Sequence, residues 1–394
     1  MAYSKIILKP GKEQSVLRFH PWIFSGAIDK AEGNPEEGDV VEVTDSNGNF
    51  LGLGHCQPGS ISVRIFSFQN AEPNLEFWEQ KVASAYRLRN TVGLTNDTTT
   101  NIFRLVHGEG DGMPGLIVDI YGDTAVMQAH SLGMYLIRET LAKAIVNALN
   151  GTIKNVYDKS SGTLPFKSIE EKKDEYIIGN LSSSELYEYG NRFLVSWEEG
   201  QKTGFFIDQR ENRKLLGEYS KNRTVLNTFG YTGGFSVAAL KAGAKRVVSV
   251  DSSAKAIELT NANVALNFGD NAPHESHCSD VFDFFKNTTE TFDIIVLDPP
   301  AFAKHNNALH NALQAYKRLN AAAIKRIKPG GLLFTFSCSQ VVTKENFRNA
   351  VFSGAAITKR QVKIIHQLTQ PADHPINIYH PEGEYLKGLV LQIE

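Results

Sequence analysis

The C-terminal half of this chain sets the strongest limit on its fold, because strand-like and helix-like segments alternate there at regular intervals. Thr224 to Asn227 is a short strand, Gly233 to Ala242 a helix, and Arg246 to Val250 a buried strand ending at Asp251. Ser253 to Asn267 has helical periodicity, Asp293 to Leu297 is an apolar strand, and Leu309 to Ile327 is a long helix. Lys328-Pro329-Gly330-Gly331 then turns the chain into the strand Leu332 to Ser337. Strands alternating with helices of this length imply right-handed crossovers and a parallel sheet covered on both faces. The final segment, His380 to Glu394, is strand-like, and we expect it to add an antiparallel hairpin at the sheet edge. The fold class is α/β.

The first part of the chain differs. Gly38 to Ser46 alternates apolar and polar residues, Asn47-Gly48 supplies a tight turn, and Phe50 to His55 resumes as a strand. Pro58-Gly59 precedes a further strand, Ile61 to Phe68, and the aromatics of His20-Pro21-Trp22-Ile23-Phe24 are expected to close this small barrel. From Pro73 the pattern becomes β-then-α: a helix from Leu75 to Thr91, strands at Ile102 to Val106, Leu116 to Ile120 and Ala125 to Ala129, and a helix from Tyr135 to Asn150. The glycine-rich turn Gly108 to Gly115 lacks a following helix start or Lys-Ser/Thr pair, so it reads as a hairpin and not as a phosphate loop. The expected domains are therefore 1–73, 74–188 and 189–394.

A length of 394 residues suits two or three domains at roughly 100–200 residues each. The 41 basic and 43 acidic side chains nearly cancel, which argues against a generally polycationic protein. Residues 1–195 nevertheless carry 18 basic and 24 acidic groups, and residues 196–394 carry 23 and 19, so a polyanion would be drawn to the second half. The 3 cysteines, Cys56, Cys278 and Cys338, are too scattered for a disulfide framework or a zinc site with paired spacing, and no metal is expected. No signal-peptide pattern opens the chain and no run approaches a membrane span, so a reducing cytoplasm and no membrane partner are expected.

In an open α/β sheet, ligands bind beyond the carboxyl ends of the strands, near the point where strand order reverses. The segment Asn227-Thr228-Phe229-Gly230-Tyr231-Thr232-Gly233-Gly234 runs from strand through glycine loop to helix, and its glycines allow close backbone approach to a ligand. About twenty residues on, Asp251 ends the next strand, where it can accept from ribose hydroxyls. Nucleotide dehydrogenases and adenosylmethionine-dependent methyltransferases share that layout, but the dinucleotide fingerprint G-x-G-x-x-G is absent. Asp280, after the next strand, fits an adenine amino contact, with a solvated loop aspartate a close second for that residue alone. The next strand runs into Asp298-Pro299-Pro300-Ala301-Phe302, a stiffened loop that aims carbonyls and a carboxylate at the cleft. The last parallel strand ends at Ser337-Cys338-Ser339, beside the Asp298 strand end. Carbon 5 of a pyrimidine takes a sulfonium methyl group only after a thiolate adds to carbon 6, with an acid at ring nitrogen 3. Cys338 and Asp298 supply that pair.

Taken together, Gln201 to Arg213 (QKTGFFIDQRENR), the loop NTFGYTGGFS, LDPPAF, SCS and the terminal HPEGEYLKG resemble the bacterial large-subunit (23S) ribosomal RNA cytosine-5 methyltransferase I family. HPWIFSGAI and the hairpins after it look like that family's N-terminal PUA domain. The resemblance implies a PUA β-barrel, a central α+β domain and a Rossmann-like class I methyltransferase domain. It implies S-adenosylmethionine as cofactor, held by Phe229, Gly230, Gly233, Asp251 and Asp280, with Asp208, Gln209 and Arg210 near its methionine end. It also implies Cys338 as nucleophile, Asp298 as its acidic partner, Pro299, Pro300 and Phe302 at the substrate, and ribosomal RNA as the partner. A non-catalytic RNA-binding or assembly protein, or a methyltransferase for another RNA base, is the alternative. The sequence does not fix the oligomeric state, and a homodimer is one option.

Overall fold

The computed structural model describes residues 3–164, 173–181 and 185–394, which group into two compact units. One comprises Met1–Leu186, Val195–Ile207 and Ala372–Gly383; the other comprises Tyr187–Leu194, Asp208–Pro371 and Glu384–Glu394. The expected central domain, 74–188, includes residues 165–172 and 182–184, which lie outside the described residues.

The first unit holds a six-stranded sheet in the order Trp22–Phe24, Ile61–Ser67, Phe50–Cys56, Val40–Thr44, Ser4–Leu8, Ile28–Glu32. Its Asn47-Gly48 turn forms as expected: the Asp45 carboxylate accepts from the Asn47 and Asn49 amides at 2.9 and 2.8 Å. The core beneath is aliphatic, built from Ile6, Leu8, Ile23, Val41, Val43, Val63 and Ile65. Here the aromatic expectation fails. Side chains alternate along a strand, so burying Ile23 turns Trp22 and Phe24 to the opposite face. Phe24 is exposed, and Trp22 packs on His380 with ring centroids 4.3 Å apart while donating to Glu109 at 2.8 Å.

A second sheet of this unit has five strands, Glu175–Ile178, Asn155–Asp158, Thr124–Ala129, Leu116–Tyr121 and Ile102–His107. The helix Leu75–Thr91 starts where expected, capped by Asn74, which accepts from the Phe77 amide at 3.0 Å. It buries Trp78, Val82, Ala85 and Arg89, one helical stripe. Arg89 is fully buried yet satisfied, donating to both Asp111 oxygens and to the Arg104 and Asp373 carbonyls. The Asp373 bond helps to hold Ala372–Gly383 in this unit. Gly108–Asp111 is one helical turn inside a hairpin, since Ile102–His107 pairs antiparallel with Leu116–Tyr121. The expected helix Tyr135–Asn150 is instead two, Leu132–Leu136 and Arg138–Ala148, broken at Ile137, whose ψ of 13° leaves the helical region.

The second unit carries a seven-stranded sheet. In chain order its strands are β1 (Thr224–Thr228), β2 (Arg246–Asp251), β3 (His274–Cys278), β4 (Phe292–Leu297), β5 (Ile327–Ser337), β6 (Val362–Thr369) and β7 (Lys387–Ile393). Their spatial order is β3-β2-β1-β4-β5-β7-β6, so strand order reverses between β1 and β4. Helices α1 (Arg210–Ser220), α2 (Gly234–Lys241), α3 (Ala254–Phe268), α4 (Val281–Asn287), α5 (Leu309–Ile324) and α6 (Lys344–Thr358) connect or cover them. The core draws Leu226, Val250, Ile295, Leu297 and Leu333 from the strands and Tyr316, Leu319 and Phe347 from the helices. Each such aliphatic or aromatic side chain contributes about 1.5–3 kcal/mol on burial.

Two expectations shift here. Helix α5 ends at Ile324, because β5 already pairs at Ile327; Lys328–Gly331 is a bulge between the Phe292–Ile327 and Ile294–Leu332 pairs. A Cβ on Gly331 would sit 2.6 Å from the Asp293 carbonyl, so only glycine fits that close approach. The C-terminal strand is also internal: β7 runs antiparallel to β5 and β6 between them, leaving β6 at the edge. Its near-continuous burial explains the apolar run GLVL.

Candidate active site

The loop after β1 is held from several sides. The Tyr231 amide donates to the Asp251 carboxylate at 3.0 Å, and the other Asp251 oxygen accepts from the Ser253 amide at 2.9 Å. Thr260 and Asn263 of α3 donate to the Tyr231 and Thr232 carbonyls at 3.0 and 2.9 Å. Phe229 and Tyr231 have φ of 58° and 46°, the left-handed region that non-glycine residues seldom occupy. Such strain persists only where the surroundings over-determine it, and it gathers at ligand sites. Gly233 has φ of 76°, and a Cβ there would lie 2.9 Å from Thr260 Cγ2, so this glycine answers to helix packing. Gly230 has no such conflict; the nearest atom to its Cβ position is Asn227 Nδ2 at 3.4 Å. Asn227 donates to Ser236 at 2.9 Å, and among the described residues its buried Oδ1 has no hydrogen-bond donor.

Asp280 caps α4, accepting from the Phe282 and Asp283 amides at 2.8 and 3.2 Å, and is exposed. Asp208, Gln209 and Arg210 are all buried at the start of α1. Gln209 Nε2 donates to Asp298 Oδ1 at 3.0 Å and its Oε1 accepts from Asn212 at 2.6 Å, which orients the amide. Asp208 accepts from the Tyr385 hydroxyl at 2.8 Å, and Arg210 donates to Glu211 at 3.2 Å. Arg213 forks onto buried Glu188 at 2.6 and 2.5 Å and anchors the helix.

Strands β4 and β5 are adjacent and parallel, with Leu297 level with Thr335, so Asp298 and Cys338 leave the sheet at one rim. Pro299 is buried and Pro300 exposed; the Phe302 ring packs on Tyr316, centroids 4.8 Å apart. Cys338 is half-buried and lines a cavity of about 260 Å³ with Ala301, Lys304, Gln340, Val341 and Tyr385. Ser339 donates to the Ala303 carbonyl at 2.6 Å, tying the two strand-end loops together. Burial pushes the Tyr316 phenol up to about 12, and Cys338 adds to the rise. The other cysteines are elsewhere: Cys278 is exposed at the end of β3, and Cys56 belongs to the first unit.

Two further residues at this rim escaped sequence reasoning. Tyr385 meets Asp208 and the cavity, and Lys387 is buried behind Cys338. The available signal was a lysine opening the otherwise apolar run of β7. Among the described residues, no group of three or more His, Cys, Asp or Glu is placed to hold a metal, and no helix is long and apolar enough to cross a membrane.

Residues 6–68 match the PUA-like domain family, and residues 166–377 match the S-adenosylmethionine-dependent methyltransferase family. Ribosomal RNA large subunit methyltransferase I of Erwinia tasmaniensis is 36% identical over 396 residues, covering 99% of this chain and 99% of that protein. The Salmonella arizonae protein of the same name is 36% identical over 398 residues, covering 99% and 98%. A protein assigned as a methyltransferase, solved in complex with SAH, has the same fold at a TM-score of 0.85 and 24% identity, covering 100% of both chains. The glycine loop, the strand order and full-length similarity agree: this chain belongs to the ribosomal RNA large subunit methyltransferase I family, with a PUA-like domain and S-adenosylmethionine as its cofactor.

Proposed function

We propose that the chain forms 5-methylcytosine in large-subunit ribosomal RNA, with Cys338 as nucleophile and Asp298 as its acidic partner. The observation that carries this reading is the shared rim of β4 and β5, where the Asp298 and Cys338 strand ends leave the sheet side by side and Cys338 lines a cavity. Cofactor residues fit the same end of the sheet. Phe229, Gly230 and Gly233 form the loop, Asp251 is within reach of a ribose, and Asp280 lies at the adenine side. The buried Asn227 oxygen without a protein donor suits a polar ligand beside Gly230. Asp208, Gln209 and Arg210 border the methionine end, the first two while bonded to Tyr385 and Asp298.

S-adenosylmethionine, when bound, supplies an electrophilic methyl group to carbon 5. The protein's own part begins with the Cys338 thiolate adding to carbon 6 of cytosine. That addition moves electron density to carbon 5, and Asp298, as the protonated carboxylic acid, donates a hydrogen bond to ring nitrogen 3 to stabilise it. Gln209, donating to Oδ1, orients the Asp298 carboxyl group for this task. Pro299 and Pro300 stiffen the loop and Phe302 packs behind it. After methylation a base takes the proton from carbon 5, the carbon–sulfur bond breaks, and the thiolate is regenerated. The PUA-like and central regions add recognition of the RNA.

RNA carrying 5-fluorocytosine at the target tests the reading, because fluorine cannot leave as a proton does. Wild-type protein should form a covalent adduct visible on a denaturing gel. Cys338→Ala should form none and should transfer no methyl group, while its affinity for S-adenosylhomocysteine stays within about threefold of wild type. Methylation of cytosine by Cys338→Ala would sink both the nucleophile and the base assignment.

A further inference from the structure

Lys387 lies directly across from Ser337 in the antiparallel pairing of β5 and β7, one residue from Cys338. It is 5% exposed. Its ammonium donates to the Ser339 carbonyl at 2.5 Å and to the Val342 carbonyl at 2.7 Å. Those two acceptors bracket the segment that follows the cysteine and lines the cavity. A lysine so deeply buried loses most of its hydration, and such positions are rare unless the charge has a use. Here no carboxylate takes the ammonium as a hydrogen-bond donor among the described contacts; Glu384 pairs with Lys344 instead.

We propose that Lys387 is a positioning residue for Cys338, pinning the Ser339–Val342 segment and favouring the thiolate over the thiol. The proposal rests on the nucleophile reading above and deepens it. A free thiol is only a few per cent ionised near pH 7, so a nucleophilic cysteine needs a neighbouring positive charge or base. Among the described residues, the groups that line the Cys338 cavity or act on Tyr316 and Lys387 beside it include no other buried cation. Asp298, on the adjacent strand end, is an acid and brings no positive charge. Tyr316, from α5, stays a neutral phenol at that pH. Tyr385 is likewise a phenol, and Lys304 is an exposed cation whose field water screens. Lys387 is the cation held in the dry layer behind the thiol. Burial pulls its ammonium down to about 8, while Cys338 and Glu384 act in the opposite sense to favour the charge and Lys344 opposes it.

The test reads Cys338 without RNA. The full chain is alkylated with iodoacetamide from pH 5.5 to 10, and the Cys338 and Cys278 peptides are quantified by mass spectrometry. In wild type the Cys338 midpoint should fall below that of exposed Cys278. Lys387→Met should raise the Cys338 midpoint by about one unit, cutting its alkylation near pH 7 roughly tenfold, and leave Cys278 unchanged. Lys387→Arg, which keeps the charge, should stay near the wild-type midpoint. An unmoved midpoint in folded Lys387→Met overturns the proposal. If that variant does not fold, a wild-type Cys338 midpoint at or above that of Cys278 overturns it equally. Failure of the nucleophile reading would appear separately, as an activated thiol that never traps 5-fluorocytosine RNA.

Discussion

Asp251 already holds two backbone amides, from Tyr231 and Ser253, before any ligand arrives. A carboxylate has about four lone-pair sites, so it can accept ribose hydroxyls while keeping those bonds. Asp251→Ala therefore loosens the loop after β1 and, on the proposed assignment, also removes a ligand contact. Titration calorimetry should find S-adenosylhomocysteine binding weakened by about 1–3 kcal/mol, the scale of hydrogen bonds to a charged group. An affinity equal to wild type would remove Asp251 from the cofactor site. Asp280 differs at the same scale. Its Oδ1 caps α4, so Asp280→Ala mixes the loss of a cap, typically about 1 kcal/mol of helix stability, with any loss of adenine contact.

At the scale of elements, the glycine loop separates two reasons for having glycine. Gly233 needs its left-handed backbone and its clearance from Thr260 of α3. Gly233→Ala should cost about 1–2 kcal/mol from the backbone alone, with further loss from the clash, seen as a lower denaturant midpoint. Gly230 adopts a backbone that alanine shares, with its nearest neighbour at an ordinary 3.4 Å. Gly230→Ala should keep wild-type stability but bind S-adenosylhomocysteine less tightly, because a methyl group then occupies the ligand's side of the loop. Wild-type binding by that variant would mean the loop meets its ligand elsewhere. Sequence reasoning grouped the two glycines, since local pattern reports a permissive backbone without saying what lies across from it. The same limit explains other outcomes. Leu75–Thr91 and the β/α alternation were legible because periodicity is local. That β7 enters between β5 and β6, that Gln209 reaches Asp298, and that Lys387 backs Cys338 all depend on pairings distant in the chain. That Cys338 and Asp298 leave the sheet at one rim was readable because parallel strands place their carboxyl ends together.

For the molecule as a whole, charge and buried titratable groups give two expectations. His55, His130 and His274 are each driven down to about 4 by burial, so the folded protein holds them neutral between roughly pH 4 and 6.5. The unfolded chain binds those protons first, so stability should fall as pH drops through that window. Asp158, raised to about 6 by burial, acts the opposite way, against these three and against His107 and His380, which burial also lowers. Denaturant midpoints at pH 7, 5.5 and 4.5 should therefore decline, and His274→Gln should flatten part of the decline. The second expectation concerns RNA. Residues 1–195 have 18 basic and 24 acidic side chains, while residues 196–394 have 23 and 19, so phosphate contacts should come mainly from the second set. Each neutralised phosphate releases counterions, giving a slope of about −0.7 per contact in log affinity against log salt for single strands. Lys304, exposed at the mouth of the Cys338 cavity, is placed to make one such contact. Lys304→Ala should weaken binding of target RNA and lower the slope by about 0.7, measured by fluorescence anisotropy across a potassium chloride series. Lys30, held by Glu32 at 2.7 Å on the first sheet, is the control, and Lys30→Ala should leave the slope unchanged. A steeper loss with Lys30→Ala than with Lys304→Ala would move the phosphate-binding surface to the N-terminal sheet and reverse this division of labour.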